Sequence, residues 1–155
     1  MPLTEVGFMN GELIANAPTR GDAAVTQTYL TRNGLFKLGS VGSVDFKTVG
    51  QSTIIASATA NTFPIFARVI FDVTNTVTVT PTVAFGTSPG WNNFIPATAV
   101  DAAMTLAGMF QDFKPVGKAI AVSGGSAFKI DVTVGATATT CTGTVELWGS
   151  ILPPP

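Results

Sequence analysis

Ser126-Ala127-Phe128-Lys129-Ile130-Asp131-Val132-Thr133-Val134 decides the fold. Phe128, Ile130, Val132 and Val134 fall on one face, and Lys129, Asp131 and Thr133 on the other. Alternation at period two marks a β-strand with one buried side. Just upstream, Val116 to Ser123 reaches this strand through Gly124-Gly125. Two glycines supply the positive φ angles of a tight turn, so the two segments are expected to pair as a hairpin.

The same period recurs on both sides. In Thr76 to Phe85, Val77, Val79, Val83 and Phe85 share a face opposite Thr76, Thr78, Thr80 and Thr82. Threonine is β-branched and favours the strand while presenting a hydroxyl. Pro81 has no N–H for the ladder, which predicts an edge strand or a bulge. Pro64 to Val73 places Ile65, Ala67, Val69, Phe71 and Val73 together, and Thr74-Asn75 reads as the turn of a second hairpin. Thr144 to Leu152 sets Val145, Leu147 and Ile151 against Glu146, Trp148 and Ser150. Weaker strands are expected over 44–49 and 53–60. Gly39-Ser40-Val41-Gly42-Ser43 and Gly124-Gly125-Ser126 read as turns, and Ser88-Pro89-Gly90 suits a type II turn. Ala99 to Met109 stays open: its alanine spacing fits a short helix, while a loop or strand also fits.

Seven to nine short strands punctuated by Gly, Pro and Asn predict an all-β, antiparallel sandwich, with a jelly roll as the first choice. The sandwich is assigned to residues 35–155. Residues 1–34 lack clean periodicity and carry Glu5, Glu12, Arg20, Asp22 and Arg32. They read as an irregular arm or lead-in, with one short strand around Ala23 to Leu30.

Charged residues make up 11% of the 155 positions, and from Val73 to Gln111 the only formal charge is Asp101. An ordinary globular domain carries about 25%. Thr, Ser, Gly and Asn stand where Lys and Glu would keep a surface hydrated and repulsive, so the surface suits packing against other protein. A chain this long buries roughly 70% of its unfolded surface and needs no metal or disulfide to fold. The net charge of −1 gives no basic patch for nucleic acid. Prolines, glycines and asparagines in the uncharged run from Val73 to Val100 exclude a transmembrane helix. Met1 to Glu5 lacks the basic and apolar regions of a secretory signal, so none is expected.

Catalytic chemistry finds little to work with. The chain has no histidine, and its one cysteine, Cys141, has no base to activate it. Nine carboxylates form no recognisable pair; Asp45, Asp131 and Glu146 alternate with apolar neighbours as solvent-facing residues do. No spacing matches a metal site or a phosphate-cradling loop, so no cofactor and no enzyme activity are expected. Arg20-Gly21-Asp22 matches an adhesion tripeptide, a pattern that three residues meet often by chance. Trp91 with Asn92-Asn93 fits either an interface contact or stacking on a sugar ring, and the interface is the commoner fate. The abundant phenylalanines sit on strand faces and read as core.

Phe85-Gly86-Thr87, Asn92-Asn93-Phe94-Ile95-Pro96-Ala97-Thr98, Gly135-Ala136-Thr137-Ala138-Thr139-Thr140 and Val145-Glu146-Leu147-Trp148-Gly149 resemble the small β-sandwich capsid decoration, or cement, proteins of tailed bacteriophages. The resemblance spans roughly Thr76 to Leu152. It implies a structural virion protein on the outer capsid surface, a homotrimer clamping neighbouring major capsid subunits, with an N-terminal arm making the grip. The expected interface residues are then Phe8, Leu13, Ile14, Tyr29 and Leu30 of the arm, with Trp91 and Phe94. The alternative is a carbohydrate- or receptor-binding module of a virion built around Trp91 and the loop asparagines.

Overall fold

The computed structural model describes residues 35–59, 62–87, 91–115 and 122–151, with the backbone of 7–9 and 12–14. Two short strands, β1 (Gly7–Met9) and β2 (Glu12–Ile14), pair antiparallel with Phe8 opposite Leu13. Eight strands follow: β3 (Phe36–Asp45), β4 (Gly50–Ile55), β5 (Thr62–Thr74), β6 (Thr82–Gly86), β7 (Ile95–Ala99), β8 (Phe110–Phe113), β9 (Phe128–Val134) and β10 (Cys141–Ile151). They form two four-stranded antiparallel sheets, ordered β3-β10-β5-β8 and β4-β9-β6-β7. The chain is therefore the all-β antiparallel sandwich that its alternation predicts.

The pairs β3·β10, β4·β9, β5·β8 and β6·β7 alternate between the sheets. Every connection from β3 to β10 changes sheet except the one from β6 to β7. That topology overturns both predicted hairpins. The Gly124-Gly125 turn is present, with Gly125 at φ +80° and Ser126 N–H donating to Ser123 C=O at 3.1 Å. Yet both edges of β9 are taken by β4 and β6, and Val122 bridges Thr62 at the start of β5 instead. Residues 116–121 lie outside the described set. Likewise, Thr74-Asn75 ends β5 without returning to it. Asn75 N–H donates to Thr140 C=O, and the chain crosses to the other sheet, with Val79 bridging Thr137 on the way. The strand expected over 76–85 begins only at Thr82, after Pro81.

Bulges explain the remaining departures. Along β5, Ala67, Val69 and Phe71 point into the core as expected, whereas Ile65 and Val73 are exposed. Opposite β10, the register slips by one residue at each end of that run, at Ile65 and at Asp72. An extra residue on one strand reverses the facing of everything beyond it. Pro64 sits at the first slip and is buried, the one kind of interior strand position that tolerates a missing N–H. In β3, which replaces the turn expected at Gly39 to Ser43 and the strand expected at 44–49, an extra residue opposite Thr144 puts Ser43 at φ +57°. Gly39 is required there by packing: a Cβ would stand 2.6 Å from Ile55 Cγ1.

The inward faces meet in a core of Phe46, Phe71, Phe85, Phe128, Ile95, Ile130, Leu147, Val69, Val83, Val132 and Val145, all fully buried. Phe85 and Phe113 join the two sheets directly, with ring centroids 5.7 Å apart. Each fully buried side chain of this size stabilises the fold by about 1.5–3 kcal/mol relative to exposure. The open stretch 99–109 resolves into the end of β7 and one 3-10 turn, Ala102–Met104, capped by Asp101 Oδ1 accepting from Ala103 N–H at 2.9 Å. Among the described residues, no helix is long and apolar enough to cross a membrane.

Candidate interface

The outward face of the β3-β10-β5-β8 sheet brings aromatic and charged side chains together. Alternation along β10 turns Thr142, Thr144, Glu146, Trp148 and Ser150 outward, and the register sets Phe66 opposite Trp148 and Arg68 opposite Glu146. The next strand adds Asp112 opposite Arg68 and Phe110 opposite Ile70. The Trp148 and Phe66 rings stack at 6.1 Å with 7° between their planes. The Arg68 guanidinium lies 4.3 Å from the Phe110 ring centre and 5.6 Å from that of Phe66.

Beside the rings of this face, charges pair locally. Arg68 donates from Nε and Nη2 to the two oxygens of Asp112, at 2.7 and 2.9 Å. That carboxylate pushes the guanidinium pKa above its already high value. Lys37 Nζ reaches Glu146 Oε1 at 3.2 Å, while Trp148 Nε1 donates to Glu146 Oε2 at 2.9 Å. Partly exposed pairs of this kind add only about 0.2–1 kcal/mol each to stability. Their larger consequence is that the charges next to the rings are paired, so this part of the face costs less to dehydrate against another protein.

On the opposite sheet, the loop at 91–93 folds over Gly86 of β6, where a Cβ would collide with Asn93 Oδ1 and the Trp91 carbonyl carbon. Asn93 holds it there, accepting from Thr87 N–H at 2.8 Å and donating to Thr87 Oγ1 at 3.0 Å. Lys129 Nζ sits 4.4 Å from the centre of the Trp91 ring. Trp91 itself has φ +43°, a left-handed conformation rare for a bulky residue. One ring face is thus engaged within the chain, which weakens the sugar-stacking alternative.

The predicted interface residues separate. Phe8 and Leu13 are cross-strand partners, and Ile14 faces Gly7. Tyr29 and Leu30 lie outside the described residues, as do Arg20-Gly21-Asp22, Ser88-Pro89-Gly90 and the strand expected at 23–30. Trp91 is half-buried against Lys129. Phe94 corrects its assignment: it is only 4% exposed and packs edge-on against Phe128 at 5.4 Å, so it belongs to the chain's own core. The sequence reading missed Phe66, Phe110 and Trp148. Trp148 carried a usable signal, an aromatic on the polar side of an alternating strand; Phe110 carried none.

Most described carboxylates serve the fold. Asp45 accepts from Lys47 N–H and the Thr48 hydroxyl, and Asp72 accepts from the Thr144 hydroxyl. Asp101 caps its turn, and Asp112 and Glu146 are paired as above. Cys141 is buried, and burial pushes its thiol pKa above the usual 9.0. Among the described residues, no three His, Cys, Asp or Glu side chains gather where they could hold a metal ion. A groove of about 150 Å³ between Leu38, Ile55, Ala58, Thr62 and Ile151 has no titratable side chain in its lining.

No protein-family model matches the chain, and no curated protein matches it. Among solved structures, one described as the capsid asymmetric unit of cyanophage Pam1 is similar at 17% identity, covering 77% of this chain and 86% of that chain, with a TM-score of 0.49.

Proposed function

We propose that this chain is a non-enzymatic structural protein of a virion, one that binds the outer capsid surface and stabilises the shell by clamping neighbouring major capsid subunits. The observation that carries the reading is the outward face of the β3-β10-β5-β8 sheet, where two ion pairs lie beside the exposed Phe110 ring and the partly buried rings of Trp148 and Phe66. The low charge content and the sequence resemblance to decoration proteins point the same way. So does the strand order: four antiparallel pairs alternating between two sheets support the jelly-roll reading, a scaffold common in capsids.

The mechanism is linkage. A clip that binds only the intact lattice disfavours its dissociation in proportion to occupancy. Many copies act on one lattice, so modest affinity at each site suffices. Carboxylates committed to a cap, to a threonine hydroxyl and to ion pairs support the non-enzymatic part of the reading.

Trp148→Ala with Phe66→Ala tests the face. Binding of the full chain to shells assembled from the major capsid protein alone should fall at least tenfold, with the circular dichroism of a folded β-protein retained. A folded double variant that binds as tightly as the parent overturns the assignment of this face.

A further inference from the structure

The four sheet edges differ in how they are closed to further pairing. The β3 edge is broken by two register slips, β4 by one, and β7 by Pro96 within a slip. Such devices blunt an edge against added strands. By contrast, β8 pairs with β5 in unbroken register from Ile70·Phe110 to Ala67·Phe113 and contains no proline. Lys114 and Pro115 come only after its end. Beside it stand exposed apolar side chains: Leu106 at 62%, Met109 at 40% and Phe110 at 49% exposure.

The backbone of β8 is oriented for a partner. Phe71 N–H donates to Met109 C=O at 2.9 Å, which fixes the alternation along the strand. Gln111 and Phe113 then turn their peptide groups toward β5, while Phe110 and Asp112 turn theirs toward the edge, where no strand pairs among the described residues.

We infer that β8 pairs with β8 of a second copy, antiparallel about a two-fold axis through Gln111, joining two four-stranded sheets into one of eight. The pairing is self-complementary. In this register Phe110 lies opposite the second copy's Asp112, and the reverse, so the outward-turned groups of both residues close four ladder hydrogen bonds. Side chains directly opposite share a face, and here they are a ring and a carboxylate rather than two carboxylates. Arg68, already bound to Asp112 and lying over Phe110, places a cation beside each carboxylate at the seam. Lys114 falls opposite Gly108, where no side chain obstructs it. Such a contact closes with two copies. It differs from the three-fold assembly that the resemblance to decoration proteins implies, and it stands independently of shell binding.

Sedimentation equilibrium of the full chain from about 1 to about 100 μM covers the range expected of a small interface. It should show a monomer passing to a dimer. The double variant Leu106→Glu, Met109→Glu should remain monomeric throughout, while Val79→Glu, at an exposed apolar site away from β8, should dimerise as the parent does. Hydrogen exchange of the parent gives a second readout: the Phe110 and Asp112 amides should gain at least tenfold protection between the ends of the series. A parent that stays monomeric, a trimer mass, a dimer indifferent to the double variant, or Phe110 and Asp112 amides whose exchange ignores concentration would each overturn the inference.

Discussion

Arg68 and Asp112 face each other across β5 and β8 and share two hydrogen bonds, Nε to Oδ1 at 2.7 Å and Nη2 to Oδ2 at 2.9 Å. The same guanidinium lies 4.3 Å from the Phe110 ring. Lysine supplies a charge but not this planar fork. Arg68→Lys should therefore lose nearly as much as Arg68→Ala, about 1 kcal/mol in each case, since the pair is only partly shielded from water. Urea denaturation of the two variants and of Asp112→Asn measures it, with an unchanged m-value expected.

Two glycines on neighbouring strands should respond in opposite ways to a methyl group. At Gly143 a Cβ would meet the carbonyl oxygen of Ile70 and stand 3.0 Å from Phe46 Cε2. At Gly42 the nearest atom is Thr144 Oγ1, at an ordinary 3.8 Å. Gly143→Ala should cost about 3 kcal/mol through backbone displacement, whereas Gly42→Ala should leave the thermal midpoint within a degree or two of the parent.

Asp45 accepts hydrogen bonds from Lys47 N–H and the Thr48 hydroxyl, and these hold its pKa below the usual 3.8. A group that is more acidic folded than unfolded contributes stability above its unfolded pKa and loses it as pH falls through the folded value. Asp45→Asn should lower stability at neutral pH and flatten the decline below about pH 4. Chemical denaturation at a series of acidic pH values follows both effects.

The arm reading makes its own prediction. Removing residues 1–34 should abolish shell binding while the remaining chain keeps the cooperative unfolding of a sandwich. Truncated protein that is folded and binds shells normally removes the arm from the mechanism.

The elements most legible in the sequence were those whose period two runs unbroken. β9 and β10 lie close to where Phe128-Ile130-Val132 and Val145-Leu147 place them. β5 was legible only between its bulges, because slips at Ile65 and Asp72 invert the pattern at both ends. Pairing was misread for a different reason. A Gly-Gly turn encodes a reversal of the chain but not the sheet to which it returns, and β10 pairs with strands far from it in sequence, β3 and β5. The face bearing Arg68 and Trp148 depends on that long-range register, so its residues could not be grouped in advance. Phe94 is expected at the interface with Trp91, but packing against Phe128 draws it into the core.

Titration of the purified full-length chain onto shells assembled from the major capsid protein alone tests the central claim most directly. Saturable cosedimentation, with a shell disassembly temperature that rises with occupancy, is the predicted result. A chain that stays in the supernatant and leaves that temperature unchanged contradicts the account.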